Sequence, residues 1–172
     1  DASGVYEYTP PAVPVLPGGQ VLAQWPSGLA QPWGLGVGPD GTQVWVGDAL
    51  AGGGDGWLYP YHLDGQPLGA GIPGSVSGAV FGADLAYDPF RKVFWQVNVA
   101  GDNCLEALDP QLLARTGARI CPAFATSPRG LAFNPLDGSF YAGSWNDGIL
   151  YHFQPDGTLL DSVAVGLSTS GL

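Results

Sequence analysis

Hydrophobic and polar positions follow the same order in three fifteen-residue segments, which align with one another without a gap. The segments read GLGVGPDGTQVWVGD at 34–48, DLAYDPFRKVFWQVN at 84–98 and GLAFNPLDGSFYAGS at 130–144. Leucine recurs at the second position, proline at the sixth and an aromatic residue at the twelfth. The pattern predicts a strand, a turn at the proline and a second strand rich in β-branched and aromatic residues, which together form a β-hairpin. We call its strands A and B.

A second pair of strands is predicted after each hairpin. The nine-residue stretches WLYPYHLDG at 57–65 and ILYHFQPDG at 149–157 also align without a gap. Each ends in Asp-Gly, a strong turn signal, so the segments 66–72 and 158–165 are predicted to return as the next strand. These are strands C and D. The prolines at the sixth position of the three segments, Pro39, Pro89 and Pro135, recur at intervals of 50 and 46 residues. These intervals are close to the roughly 40–50 residues of a four-stranded propeller blade.

The sequence therefore predicts an all-β chain of β-propeller blades, each of four antiparallel strands. Residues 1–172 form one partial propeller domain, with a half-blade at 4–28, blades at 32–73, 82–122 and 128–166, and the start of another blade at 167–172. Closed propellers contain about four to eight blades. Because an open fan exposes apolar sheet faces, we expect the natural polypeptide to continue beyond both ends, or copies of the chain to complete one another.

The two cysteines are predicted to form a disulfide within one hairpin. Cys104 opens strand C of the middle blade and Cys121 closes its strand D, with a turn near 110–114. A hairpin centred on that turn pairs Leu105 with Ile120 and places the two cysteines opposite each other, within bonding reach. The spacing lacks the CxxC pattern of a metal or redox pair. A structural disulfide points to an oxidising compartment, and so to a secreted, extracellular or cell-surface protein.

Composition excludes some partners. The formal net charge is −10, from 15 acidic and 5 basic residues, which makes nucleic acid an unfavourable partner. No apolar stretch reaches the roughly 18 residues of a membrane-spanning helix. Aromatic residues are spread among the 28 glycines and 16 prolines, so the chain is a strand-and-turn protein with a core and not a disordered segment.

Candidate binding residues collect in the loops between strands B and C, which share one end of a propeller with the loops between blades. The predicted binding face comprises Trp33, Asp48, Asp55, Asn98, Asp102, Asn103, Arg129, Trp145, Asn146 and Asp147. Oxygen ligands of this kind suit calcium, and the candidates for such a site are Asp48, Asp55 and Asp102. The simpler interpretation, which we favour, is that Asp and Asn satisfy tight turns here.

No catalytic constellation is evident. The chain contains no G-x-S-x-G, H-E-x-x-H or Walker pattern. Its two histidines, His62 and His152, do not recur at matching positions, and we interpret both as partly buried, hydrogen-bonded side chains. Asp84 and Asn98 would be the candidates if the central channel held a metal, but the positions matching Asp84 are glycines.

The segments WGLGVGPDGTQVWVGD and SPRGLAFNPLDGSFYAGSWNDGILYHF resemble the blades of NHL/YVTN-type bacterial propellers. The stretch FWQVNVAGDNCLEALDP, with ICPAF and SPRGLAF downstream, resembles propeller segments of large secreted bacterial proteins, some of which have a subtilisin-like peptidase domain. The resemblance implies the fold and says little about activity. None of the peptidase triad can be placed in this chain, so any peptidase domain of the full-length protein lies outside these residues.

From these observations we expect a non-catalytic extracellular propeller module for protein interaction or surface assembly. Its partner would be another protein or further copies of itself. The alternatives are a propeller hydrolase or lyase with a metal in the central channel, and a self-assembling subunit that completes its propeller in trans.

Overall fold

The computed structural model describes residues 4–8, 21–49, 56–74, 81–99, 102–124 and 127–166. Within these ranges all the named elements are β-strands, in agreement with the predicted all-β class. In chain order they are β1 (Gly4–Tyr8), β2 (Val21–Pro26), β3 (Pro32–Val37), β4 (Gln43–Asp48), β5 (Trp57–His62), β6 (Phe81–Asp88), β7 (Val93–Val99), β8 (Leu105–Leu108), β9 (Arg115–Ile120), β10 (Pro128–Phe133), β11 (Phe140–Ser144), β12 (Ile149–Phe153) and β13 (Leu159–Ala164).

The strands form four antiparallel sheets that match the predicted blades. A half-blade consists of β1 and β2, and is followed by a first blade (β3–β5), a second blade (β6–β9) and a third blade (β10–β13), each in sequential order. The three predicted A–B hairpins are confirmed, and so are strands C and D of the second and third blades. The architecture is consistent with a partial β-propeller.

One predicted strand differs from expectation. Strand D of the first blade, expected at 66–72, is reduced to two isolated bridges, Leu58 to Ile72 and Tyr61 to Pro67. Proline at position 67 has no N–H to donate to a ladder, and Gly65, Gly69 and Gly71 lower the strand propensity of the segment. The segment therefore lies along β5 without forming a continuous strand.

Packing between successive sheets forms the core. The largest buried cluster joins the second and third blades, where Trp95 meets Phe140 edge to face at 5.9 Å between ring centroids. A second cluster joins the first and second blades around Leu58, Leu85 and Phe94. The half-blade contacts the first blade through Trp25, whose ring lies 4.9 Å from that of Tyr61. Strand B is buried on both faces, as predicted: residues 44–48 of β4 and 94–99 of β7 are all buried.

The inner strands β3, β6 and β10 approach one another closely at the centre of the fan. A Cβ atom on Gly34 would lie only 2.5 Å from the Cα of Asp84, so glycine is required where β3 crosses β6. Farther along, Leu35 and Val37 of β3 remain 39% and 46% exposed. They face a groove of about 350 Å³, which is lined by all three inner strands.

The predicted disulfide is present. Cys104 and Cys121 are bonded, with their Cα atoms 4.3 Å apart. Leu105 pairs with Ile120 across β8 and β9, which is the register expected from a turn at 110–114. The turn is stabilised by Asp109, whose carboxylate accepts the N–H groups of Gln111 and Leu112 at 2.9 and 2.8 Å.

Two further predictions concern the start of another blade and membrane-spanning segments. The expected start of another blade at 167–172 lies outside the described residues. Within the described ranges, no helix has the length and hydropathy needed to cross a membrane.

Candidate functional site

The two ends of the propeller differ in their connections. The B–C loops and the connections between blades lie at one end, which we call the loop end. The A–B and C–D turns lie at the other, which we call the turn end. Strand order alone produces this division, because antiparallel neighbours reverse direction at every connection. The members of the predicted binding face that the structure describes belong to the loop end.

Three of the predicted residues form one stack at the loop end. The guanidinium carbon of Arg129 lies 4.8 Å from the ring centroid of Trp33 and 4.6 Å from that of Trp145. Trp33 and Arg129 occupy matching positions at the start of strand A in the first and third blades. The matching residue of the second blade is Ala83, which is small and fully buried, and this leaves room for Arg129 to reach Trp33.

The backbone holds Trp145 in place beside Arg129. The N–H of Trp145 donates to the carbonyl of Ser127 at 3.1 Å, and the matching bond in the first blade joins Ala49 to Gln31 at 3.0 Å. The repeat thus fixes the path of the loop, while only the third blade places an aromatic side chain there. Trp145 is 39% exposed, so one side of the stack faces solvent.

Arg129 is a cation without an ion pair in the described part of the chain. Its Nε is buried and has no hydrogen-bond partner there, and none of the ion pairs involves it. Burial lowers the pKa of Arg129, although arginine remains protonated in proteins. The guanidinium of Arg129 is therefore stabilised by the faces of two indole rings, and each such cation–π contact contributes about 0.5–2 kcal/mol.

Asp48 has a structural role in the first blade. Its side chain is buried, and its two carboxylate oxygens accept the N–H groups of Gln31 and Ala30, each at 3.0 Å. The carboxylate closes the connection that leads into β3. Both oxygens are thus already used by the backbone.

Asp102 and Asn103 shape the B–C loop of the second blade. Asp102 accepts the N–H of Cys104 at 3.1 Å, and its other oxygen is paired with the guanidinium of Arg119. The hydrogen bond from Arg119 is the main cause that lowers the pKa of Asp102. Asn103 has a φ of 59°, a left-handed conformation that asparagine tolerates better than most residues. Asn98 is buried, and its N–H donates to the carbonyl of Cys104 at 3.1 Å.

Asn146 and Asp147 are exposed in the B–C loop of the third blade. Asp147 accepts the hydroxyl of Tyr151 at 2.8 Å and the N–H of Ile149 at 3.2 Å. Partial burial raises the pKa of Asp147, but hydrogen bonds from Ser144, Tyr151 and the Ile149 N–H outweigh it and lower the pKa overall. Asp147 therefore orders the loop that presents Trp145.

The calcium candidates do not converge in the part of the chain that is described. Asp48 and Asp102 lie in different blades and bind a backbone turn and an arginine, respectively. Among the described residues no three His, Cys, Asp or Glu side chains are grouped as a metal would require. Asp55, the third candidate, lies outside the described residues.

Asp84, the alternative channel ligand, is used to join the three inner strands. It is 2% exposed, and its two oxygens accept the N–H of Leu35 in β3 at 2.9 Å and of Leu131 in β10 at 3.0 Å. The glycines at the matching positions, Gly34 and Gly130, mark where the neighbouring strands pass closest to it. The sequence pattern of Gly, Asp, Gly at this position was the signal for this role, which sequence analysis did not recognise.

The histidines occupy two different environments. His152 is partly buried, stacks on Tyr141 at 4.3 Å and shares a 2.8 Å hydrogen bond with Ser139, as the sequence interpretation expected. His62 is exposed at the end of β5, so the expectation of a partly buried side chain was wrong there. His62 is the last residue of β5, where the chain leaves the buried part of the strand and enters the exposed C–D turn.

Comparison with known proteins supports the fold. No protein-family model matches the chain, and no curated protein matches it in sequence. The resemblance to NHL/YVTN repeats is thus supported at the level of the propeller-like fold, without a family assignment. Many solved structures match in shape.

Three of these structures illustrate the likeness. The nidogen/laminin complex has a TM-score of 0.60 at 17% identity, over 89% of this chain and 54% of that one. A functionally unknown protein from Desulfotomaculum acetoxidans has a TM-score of 0.57 at 14% identity, over 99% and 52%. Hydrazine synthase of Kuenenia stuttgartiensis has a TM-score of 0.56 at 14% identity, over 84% and 39%. This chain is therefore similar to about half of larger propeller-like chains, and at these identities the likeness establishes the fold alone.

Proposed function

We propose that this chain is a non-catalytic recognition module of an extracellular protein, which binds a protein partner through its loop end. The observation behind the proposal is the stack of Arg129 between Trp33 and Trp145, a partly exposed cation with no ion pair in the described residues. Tryptophan and arginine are the residues most enriched among binding hot spots. A rigid stack also loses little side-chain entropy when a partner binds.

The disulfide and the inner strands support the same proposal. A disulfide bridge inside a blade suits an oxidising compartment. Asp84, the carboxylate best placed for channel chemistry, already accepts two backbone N–H groups. Among the described residues lining the central groove, Tyr87 is the one ionisable side chain. These features favour recognition over hydrolysis or lyase chemistry.

Site-resolved photocrosslinking tests this proposal. A chain with a benzophenone amino acid at Asn146, which is exposed next to the stack, should crosslink a discrete partner in the extracellular fraction of its source, and excess unlabelled wild-type chain should suppress the product. About ten times more Arg129→Ala chain than wild-type chain should be needed to suppress the product equally, because the stack is lost. The control places the same label at Leu136, which is 93% exposed at the turn end. Equal crosslinking at 146 and 136, or equal suppression by the Arg129→Ala chain, would contradict the proposal.

Assembly with a second copy is a further candidate, favoured by the outermost strand. Every residue of β13 is exposed, and Leu160 and Val163 are 47% and 54% exposed. The chain spans about half the length of two propeller-like chains that it matches, 54% of one and 52% of the other. A second copy packed on this sheet would cover the apolar side chains as successive blades do within the chain.

The oligomeric state of the isolated chain decides this second candidate. Sedimentation from micromolar to millimolar concentration should detect reversible association, and Val163→Glu should weaken it about tenfold, because a carboxylate would be buried at the contact. Thr158→Glu, an exposed change in the turn before β13, serves as the control. A monomer at every concentration would exclude assembly through this face and leave the loop-end proposal unaffected.

A further inference from the structure

The turn end contains a cleft between the first and second blades that the loop-end function does not use. Its volume is about 540 Å³, within the roughly 300–1,000 Å³ of small-molecule sites. The wall includes Trp45 and Tyr87, the amides of Gln43 and Gln111, and two charged side chains, Asp40 and Lys92.

A comparison of the two blades identifies an unfilled hydrogen bond in this wall. Trp45 and Trp95 occupy the same position of strand B, and both are buried. Trp95 donates its Nε1–H to the carboxylate of Asp88 at 3.3 Å. In the first blade the residue matching Asp88 is Gly38, and the Nε1–H of Trp45 has no hydrogen-bond partner among the described residues. A buried donor without an acceptor is energetically unfavourable, so a ligand that supplies one is stabilised there.

The position next to the Trp45 donor is filled differently in the two blades. In the second blade the wholly buried Asp88 also binds Arg91, at 2.6 Å. In the first blade the side chain of Gln43 packs over Gly38, so that a Cβ on Gly38 would lie 2.6 Å from the Gln43 Cγ. Gln43 is partly exposed and can turn away without disturbing the sheet. The first blade thus retains the donor of the second blade but lacks its built-in acceptor.

The two charged side chains of the cleft, one carboxylate and one ammonium, differ in the partners that they have among the described residues. Lys92 is exposed, forms no ion pair in the described part of the chain and adopts a φ of 56° at the tip of its turn. The carboxylate of Asp40 is held by the N–H and hydroxyl of Thr42, at 3.0 and 2.8 Å. The free cation and the unfilled indole donor suit a carboxylate, and the amides and aromatic rings suit the hydroxyls and faces of a small polar molecule.

We propose that this cleft binds a small carboxylic acid, of which a uronic acid is a member of matching size, with its carboxylate between Trp45 Nε1–H and the ammonium of Lys92. The ligand carboxylate would occupy the place that Asp88 fills from within the second blade. This site is at the opposite end of the propeller from Arg129 and is independent of the protein-binding function.

NMR titration of the intact chain with small acids, followed by its indole N–H resonances, tests the proposal. Sodium glucuronate should shift the Trp45 Nε1–H signal downfield and saturate, because the donor gains an acceptor. Acetate should move the same signal more weakly, and glucose should leave it in place. Lys92→Gln should weaken glucuronate binding about tenfold or more, through loss of a charge-assisted contact. No shift with either acid, or an equal shift with glucose, would overturn the proposal.

A matched pair of variants separates binding from folding. Gly38→Asp/Gln43→Val installs the residues of the second blade at both positions, and should move the Trp45 signal toward its bound position without ligand and abolish the response to glucuronate. Gln43→Val alone uncovers Gly38 without supplying an acceptor, and should retain binding. Dispersed amide spectra in both variants establish that they are folded. Retained glucuronate binding by the double variant would refute the assigned position.

Discussion

Replacing Asp84 with alanine is expected to lower the free energy of unfolding by about 3–5 kcal/mol. The change leaves the N–H groups of Leu35 and Leu131 without their acceptor, and each buried donor left unpaired costs about 1–3 kcal/mol. It also removes the contact that joins the inner strands of all three blades. For a chain of this length the melting temperature should fall by roughly 10 °C. Urea unfolding monitored by tryptophan fluorescence measures the effect.

The controls for Asp84 distinguish the acceptor from general effects of mutation. Asp84→Asn keeps one carbonyl oxygen and should cost about half as much, because one of the two N–H groups retains a partner. Asp161→Ala removes an exposed carboxylate from β13 and should change stability by less than about 0.5 kcal/mol. A loss of under 1 kcal/mol in Asp84→Ala would mean that the inner strands are joined by backbone packing alone.

Removal of the Cys104–Cys121 bridge is expected to cost about 3 kcal/mol. The bridge closes a loop with a sequence separation of 17 residues, and a loop of about 15 residues corresponds to roughly 3 kcal/mol of lost chain entropy in the unfolded state. The double variant Cys104→Ala/Cys121→Ala should therefore unfold at lower urea concentration, with its blades still formed. Chemical denaturation of oxidised and variant protein gives the difference.

Reduction of the wild-type protein provides an independent comparison for the same bridge. Wild-type chain in reductant should match the double variant, because Cys121 is exposed and accessible to a thiol. The variant should be insensitive to reductant. Mass analysis of alkylated native protein must find no free thiol, and alkylation of the two cysteines without prior reduction would contradict both the bridge and the expectation of an oxidising compartment.

The repeat pattern allowed the hairpins and the disulfide to be predicted because both depend on local spacing. Alternating strand residues and a turn between them set the pairing of Leu105 with Ile120, and this pairing places Cys104 opposite Cys121. The exception at 66–72 also has a local cause, since Pro67 removes a donor and the nearby glycines weaken the strand. The repeat spacing predicted a strand at 66–72 but took no account of the effect of proline and glycine on strand formation.

The candidate site was predictable only in part. Position in the repeat was enough to place Trp33, Arg129 and Trp145 at one end of the propeller, but their stacking depends on the distance between the first and third blades. Asp84 was recognised as unusual beside Gly34 and Gly130, yet the two N–H groups that donate to its carboxylate come from strands 49 and 47 residues away in the chain. The difference between Gly38 and Asp88 is visible in the alignment, and it acquires meaning only beside the indole of Trp45, whose N–H has no acceptor in the described part of the chain.

The sequence by itself determined the class of fold, the sequential order of the strands, the register of the β8–β9 hairpin and the cysteine pairing. These follow from contacts between residues near in sequence, where turn chemistry and side-chain alternation decide the outcome. Only the tertiary structure decided the bridging role of Asp84, the stacked cation at Arg129 and the unfilled donor at Trp45. The first two arise where separate blades meet, and the geometry of such contacts depends on sheet packing that no single repeat encodes. The third lies within the first blade, where the packed side chains leave Trp45 Nε1–H without an acceptor among the described residues.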